Sequence, residues 1–172
     1  MVGVARDQAA LQRLHGLGAD ATVDLRPKET AADLADRILA VAGPVDVVLD
    51  GVYGLPFEAA LQACAPYARV INIGSAAGTT AQIPAGALRA KQLTLSGFAG
   101  VHTPLQAKRT ALDWLWAAVI CGELQVEVRA IPLEQLPAVW RAQAHSPHEK
   151  CVVVPAEGPR HSAVLPVGHS TA

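Results

Sequence analysis

The chain has 172 residues, 51% of them apolar, enough for one domain or one and a part with a proper core. Charged residues are 17% and the net charge is −1, so nothing electrostatic favours nucleic acid or an anionic membrane. No apolar run approaches the roughly 20 residues of a membrane span, and Cys64, Cys121 and Cys151 fit neither a zinc spacing nor a disulfide framework. This cysteine usage points to a reducing cytoplasm. Met1 leads straight into a strand pattern, so no signal peptide is expected.

Met1 to Ala5 reads as a short apolar strand. Asp7 suits the cap of a helix with Leu11 and Leu14 on its buried face and Gly18 just past its end. Thr22 to Leu25 is a second strand. Thr30 and Asp33 have the spacing of a capping box before a helix that turns Leu34, Ile38 and Val41 inward, and Gly43-Pro44 ends it. From Pro44 to Gly78 a strand, a helix and a strand follow with short connections. The first apolar run (Val45, Val47, Val48, Leu49) ends in Asp50-Gly51. The helix has Pro56 in its first turn and Phe57, Leu61 and Cys64 on one side. The second run (Val70, Ile71, Ile73) ends in Gly74-Ser75. This is a βαβ unit, and its continuously apolar strands predict helices over both faces.

A short helix is expected around Pro84 to Arg89 and a strand from Leu93 to Phe98. The longest helix spans Leu105 to Cys121. Leu105, Leu112, Leu115, Trp116 and Val119 form one stripe on it, and Trp114 points the other way, so cover is expected on both sides; the alternative is that Trp114 is simply a partly exposed tryptophan. Val126 to Ile131 is a strand, Leu133 to Ala144 a helix and Cys151 to Val154 a last strand. Residues 156–172 lack periodicity and read as a disordered tail.

Strands alternating with helices define an α/β fold with a doubly wound parallel sheet, whose carboxyl edge is where such sheets bind ligands. The G-x-G-x-x-G turn that normally follows the first strand of a dinucleotide fold is absent. Met1 to Ala5 takes the place of the second strand, so the sheet is expected to lack its first strand and glycine-rich turn. The second and fourth strands would then either stand apart with an open slot or close up and pair.

Six segments, VGVARD, LHGLGADATVD, DVVLDGVYG, ARVINIGSAAG, LTLSGFAG and IPLEQLPAVWRAQAHSPHEKCVVV, run in the order seen in the medium-chain dehydrogenases/reductases. Residues 2–154 resemble the C-terminal half of that family, and its quinone oxidoreductase-like, zinc-binding dehydrogenase group in particular. One departure lies inside the match: Glu149 stands before Lys150 where the family usually has glycine. The resemblance implies an incomplete Rossmann domain over residues 1–125 and a segment over 126–155 that returns to a GroES-like catalytic domain. It implies an NADPH-dependent reductase of quinones, enones or carbonyls, inactive as this piece alone.

NAD-preferring sheets place a carboxylate at the end of the second strand; here Ala5 stands there and Arg6 follows. A guanidinium suits a 2′-phosphate, so the pair favours NADPH. The alternative is a solvated arginine pairing with Asp7 or Asp24. By resemblance, Gly51, Val52 and Tyr53 line the cofactor, Gly74 and Ser75 meet its nicotinamide side, and backbone groups at Phe98 and Ala99 face the carboxamide. Against these stand a rim aromatic at Tyr53 packed on its own helix, a plain turn at Ser75 and a core phenylalanine at Phe98. His15, His102, His145, His148, His161 and His169 show no metal spacing, and Asp46, Asp50 and Asp113 form no acid–base couple, so neither a metal ligand nor a catalytic residue is assigned.

The leading function is thus an NADPH-dependent oxidoreductase. The alternatives are a non-catalytic nucleotide-binding remnant or interaction module and, less well matched, another nucleotide-binding class such as a methyltransferase. The partners expected are a small-molecule substrate and a second copy pairing through the edge strand Leu93 to Phe98.

Overall fold

The computed structural model describes residues 1–126, 128–144 and 150–155. The tail expected over 156–172 lies outside them, as do Glu149, His145, His148, His161 and His169. The chain divides into two compact units after Thr103.

The first unit holds two parallel sheets. β1 (Val2–Ala5) pairs with β2 (Ala21–Asp24), with Ala5 opposite Asp24. β3 (Val45–Asp50), β4 (Cys64–Asn72) and β5 (Thr94–Gly97) form the second sheet, in the order β3-β4-β5. α1 (Gln8–Gly16), α2 (Ala31–Ala42), α3 (Gly54–Ala63) and α4 (Ala85–Lys91) make the connections. No ladder hydrogen bond joins β1 to β3, so direct pairing of these two strands does not occur.

Local chemistry sets the helix ends. The Asp7 carboxylate accepts from the N–H groups of Ala9 and Ala10 and caps α1. At α2 the box is reciprocal: the Thr30 hydroxyl accepts from Asp33 N at 3.1 Å, and the Asp33 carboxylate accepts from Thr30 N at 3.0 Å. Gly43 leaves the helix at φ +65°, where a side chain would be strained.

The core has two parts. Leu34, Ala35 and Ile38 of α2 pack with Ala59 and Ala63 of α3 and Val23 of β2, with Val2 and Val45 against them. Phe57 and Leu61 of α3 pack on Cys64, Ala68 and Val70 of β4.

Three expectations need correction here. Cys64 opens β4 rather than closing the helical stripe, because the strand starts early and is irregular: Val45 pairs with Cys64, but Val47 pairs with Arg69. Val41 is exposed, since the buried face of α2 ends with Ile38. Among the described residues of the first unit, helices cover the βαβ sheet on one face. Val48 and Val70 lie toward α3, while Val47 and Leu49 on the other face are 55% and 68% exposed.

In the second unit, α5 (Leu105–Ile120) precedes β6 (Val128–Pro132), α6 (Leu136–Gln143) and β7 (Lys150–Val154). β6 and β7 pair in parallel, Val128 opposite Lys150. Cover on both sides of α5 is not found. Leu105, Leu112, Leu115, Trp116 and Val119 are all exposed, as is Trp114, and only Ala118 of the helix is buried.

The hydrogen bonds from the Thr30 hydroxyl and N–H hold the Asp33 carboxyl below its ordinary 3.8. A depressed folded pKa means the cap's contribution is complete above the unfolded pKa and lost as pH falls through the folded one. The melting-temperature gap between the chain and Asp33→Asn is therefore expected to be constant above about pH 5 and to narrow as pH falls from there through the lowered folded pKa. A gap independent of pH would show the carboxylate's charge plays no part.

Candidate functional site

The parallel register sets Asp50 beside Asn72 and Asn72 beside Gly97, which aligns the carboxyl ends of β3, β4 and β5. Gly51–Tyr53, Gly74–Ser75 and Phe98–Ala99 therefore leave the sheet along one edge. Backbone bonds tie these exits together: Ile73 N donates to Asp50 O at 2.7 Å, Phe98 N to Asn72 O at 2.9 Å and Ala77 N to Val52 O at 2.7 Å.

The edge is organised by a residue that sequence reasoning passed over. Asp50 is 5% exposed, the buried charged side chain of the described core. Its Oδ1 accepts from Val52 N at 3.1 Å and Tyr53 N at 3.0 Å, and its Oδ2 accepts from Asn72 Nδ2 at 2.6 Å. The same Nδ2 lies 2.7 Å from Gly74 O. One carboxylate and one amide thus link the turn after β3 to the turn after β4. Read from the sequence, Asp50 is a candidate only for half of an acid–base couple. The signal for its actual work was Asp-Gly at a strand end, the pattern by which an aspartate hydrogen-bonds backbone two residues on.

The turn is strained. Tyr53 stands at φ +58°, ψ −163°, a region nearly restricted to glycine, and Gly54 follows at φ +62°. The Asp50 bonds to Tyr53 N and the Tyr53 ring on Phe57, with centroids 4.7 Å apart, hold that conformation. The ring thus packs on its own helix, as the rim-aromatic reading held. Gly74 is required by contact: a Cβ there would lie 2.5 Å from Gly51 O.

Gly51, Ser75, Phe98 and Ala99 are exposed along this edge. Phe98, 57% exposed, is not a core residue, because β5 ends at Gly97 and the backbone turns out before it. Arg6 is exposed just past β1, in the unit's other sheet, and makes no hydrogen bond or ion pair among the described residues. Its expected alternative partner Asp24 is engaged elsewhere: Arg37 bridges Asp24 and Glu29, and Arg26 Nε sits 3.3 Å from Asp24. Partial desolvation opposes ionisation of Asp24, but Arg26 and Arg37 together outweigh it and hold the carboxyl below its ordinary range.

Among the described residues no group of three or more His, Cys, Asp or Glu could hold a metal ion. No helix among them is long and apolar enough to cross a membrane.

Parallel strands ending in glycine turns at one exposed edge define a nucleotide-binding α/β class. Residues 1–117 match the profile of the zinc-binding dehydrogenases, and the chain belongs to that family. The described residues do not supply the metal ligands that the family's description invokes. No curated protein matches the chain. Solved structures do. A putative alcohol dehydrogenase from Sinorhizobium meliloti is 26% identical over 90% of this chain and 41% of its own, with a TM-score of 0.73. A Pseudomonas syringae quinone oxidoreductase is 24% identical over 90% of this chain and 48% of its own, with a TM-score of 0.72. A mycobacterial protein solved with NADPH is 22% identical over 90% and 48%, with a TM-score of 0.74. The fold is the Rossmann-type fold of these enzymes, and the chain spans less than half the length of each.

Gly74→Ala is expected to lower stability by about 1–3 kcal/mol, the range for forcing extra atoms into a filled space. Urea denaturation checks this; a change within error would mean the Gly51 turn yields freely.

Proposed function

We propose that this chain is the cofactor-binding part of an NADPH-dependent oxidoreductase of the quinone, enone or carbonyl reductase type. The observation that carries the reading is an exposed, glycine-walled edge on three parallel strands together with an unpaired arginine after β1, where Ala5 replaces the usual carboxylate. Arg6 would clamp the 2′-phosphate. The turns Gly51–Tyr53 and Gly74–Ser75 would let backbone approach the ribose and nicotinamide, and Phe98–Ala99 would present backbone to the carboxamide. The bound cofactor supplies hydride; the residues here orient it and shield it from water. Relatives solved with NADPH, the mycobacterial protein and one from Vibrio vulnificus, support the choice of cofactor.

The same reading assigns residues 126–155 to a segment returning to a GroES-like catalytic domain, and pairs two copies through the free edge of β5.

Titration of NADPH and NADH into the 172-residue chain, followed by amide NMR, tests the proposal. NADPH is expected to bind more tightly and to shift the amides of Gly51–Tyr53, Gly74, Ser75, Phe98 and Ala99. Arg6→Ala should cost about 1.5–3 kcal/mol of NADPH affinity, the worth of a hydrogen bond to a charged group, and leave NADH nearly unchanged. Equal losses for both cofactors would remove Arg6 from the phosphate site. The chain alone is expected to show no turnover of NADPH with quinones or enones, because no glycine-rich turn seats the pyrophosphate. Steady oxidation would contradict that.

A further inference from the structure

We infer that Asp50 and Asn72 are positioning residues that fix the spacing between the two turns of the cofactor edge, an inference that rests on the NADPH reading above. The hydrogen-bond inventory leaves this pair one arrangement. Gly74 O is a carbonyl and can only accept, so Asn72 must present its NH2 toward it. The second proton of that NH2 then points at Asp50 Oδ2, 2.6 Å away, so position 50 must accept there. Asp50 Oδ1 faces two backbone donors, Val52 N and Tyr53 N, and must accept as well. A carboxylate accepts at both oxygens, and a neutral primary amide donates twice from its one nitrogen. Asparagine at 50 would place NH2 against NH2. Flipping the Asn72 amide to relieve this would set its oxygen against Gly74 O.

The pair does more than satisfy its own buried atoms. Oδ1 holds the Tyr53 backbone in its positive-φ conformation, and the Asn72 amide draws the Gly74 carbonyl inward, two residues along the chain. The two turns are therefore set relative to each other by one rigid bridge across β3 and β4, rather than by their own flexible backbones. Asp50 is buried, and the Asn72 amide is committed to Asp50 and the Gly74 carbonyl; both act through the turns they hold.

The test compares the chain with Asn72→Leu, Asp50→Asn and a remote core control, Ile38→Val, in three measurements: melting temperature, the ¹³C shift of the Gly74 carbonyl in the free chain, and NADPH affinity. Asn72→Leu and Asp50→Asn are expected to move the Gly74 carbonyl shift, speed exchange of the Tyr53 amide and weaken NADPH binding tenfold or more. Ile38→Val is expected to lower the melting temperature with affinity unchanged. If Asn72→Leu folds poorly, Asp50→Asn carries the same comparison with the Asn72 side chain retained. An unmoved Gly74 shift in Asn72→Leu overturns the bridge itself. A moved shift with unchanged NADPH affinity, or an equal affinity loss in Ile38→Val, overturns its positioning role. Absence of NADPH binding by the unmodified chain overturns the cofactor reading, and the positioning role with it, while the free-chain shifts still decide whether the bridge exists.

Discussion

The first unit depends on the packing of α2 against α3. Its two sheets share no ladder hydrogen bond, and the cluster built on Leu34, Ala35, Ile38, Ala59 and Ala63 joins them. Three of those five residues are alanines, which let the helix backbones approach closely. Val2 on one sheet and Val45 on the other pack against the same cluster, so each sheet is registered to the helix pair rather than to its neighbour. Burying Leu34 completely is worth about 1.5–3 kcal/mol, and this term has no backbone hydrogen bonds between the sheets to reinforce it.

Much of this was legible in the sequence, for identifiable reasons. The capping box at Thr30 and Asp33, the Asp7 cap and the βαβ order all follow from local chemistry, which a short window contains. What failed was nonlocal. Continuous apolar runs predict cover on both faces, yet Val47 and Leu49 lie open, because cover depends on which helices the chain brings to that face. The stripe on α5 misled in the same way: period alone identifies an apolar side without supplying a neighbour for it.

The candidate site was partly legible. Its glycines and small residues stand at strand ends, where composition marks them. The bridge between the turns was not, because Asp50 and Asn72 lie 22 positions apart and only the parallel register brings them together. A sequence reading tests aspartates for catalysis and asparagines for turns. It does not test whether one amide and one carboxylate can complete each other's donors and acceptors across a strand pair. Burial at 5% exposure, with two backbone N–H groups on one carboxylate oxygen, identifies Asp50 as an anchor of backbone N–H groups.

The open face of β3 has a consequence for how the chain behaves when concentrated. β3 is the outer strand of its sheet, six residues long, with Val47 and Leu49 presented to water. A free backbone edge next to apolar side chains is a template onto which another extended chain can add. Asp46 is the one exposed charge on the strand that opposes this, since Asp50 is buried. The opposite edge, β5, is shorter and carries Thr94, Ser96 and Gly97. The two edges of one sheet therefore differ in kind. The β3 edge is thus the more open of the two to the addition of another strand, and Leu49 lies outside both core clusters.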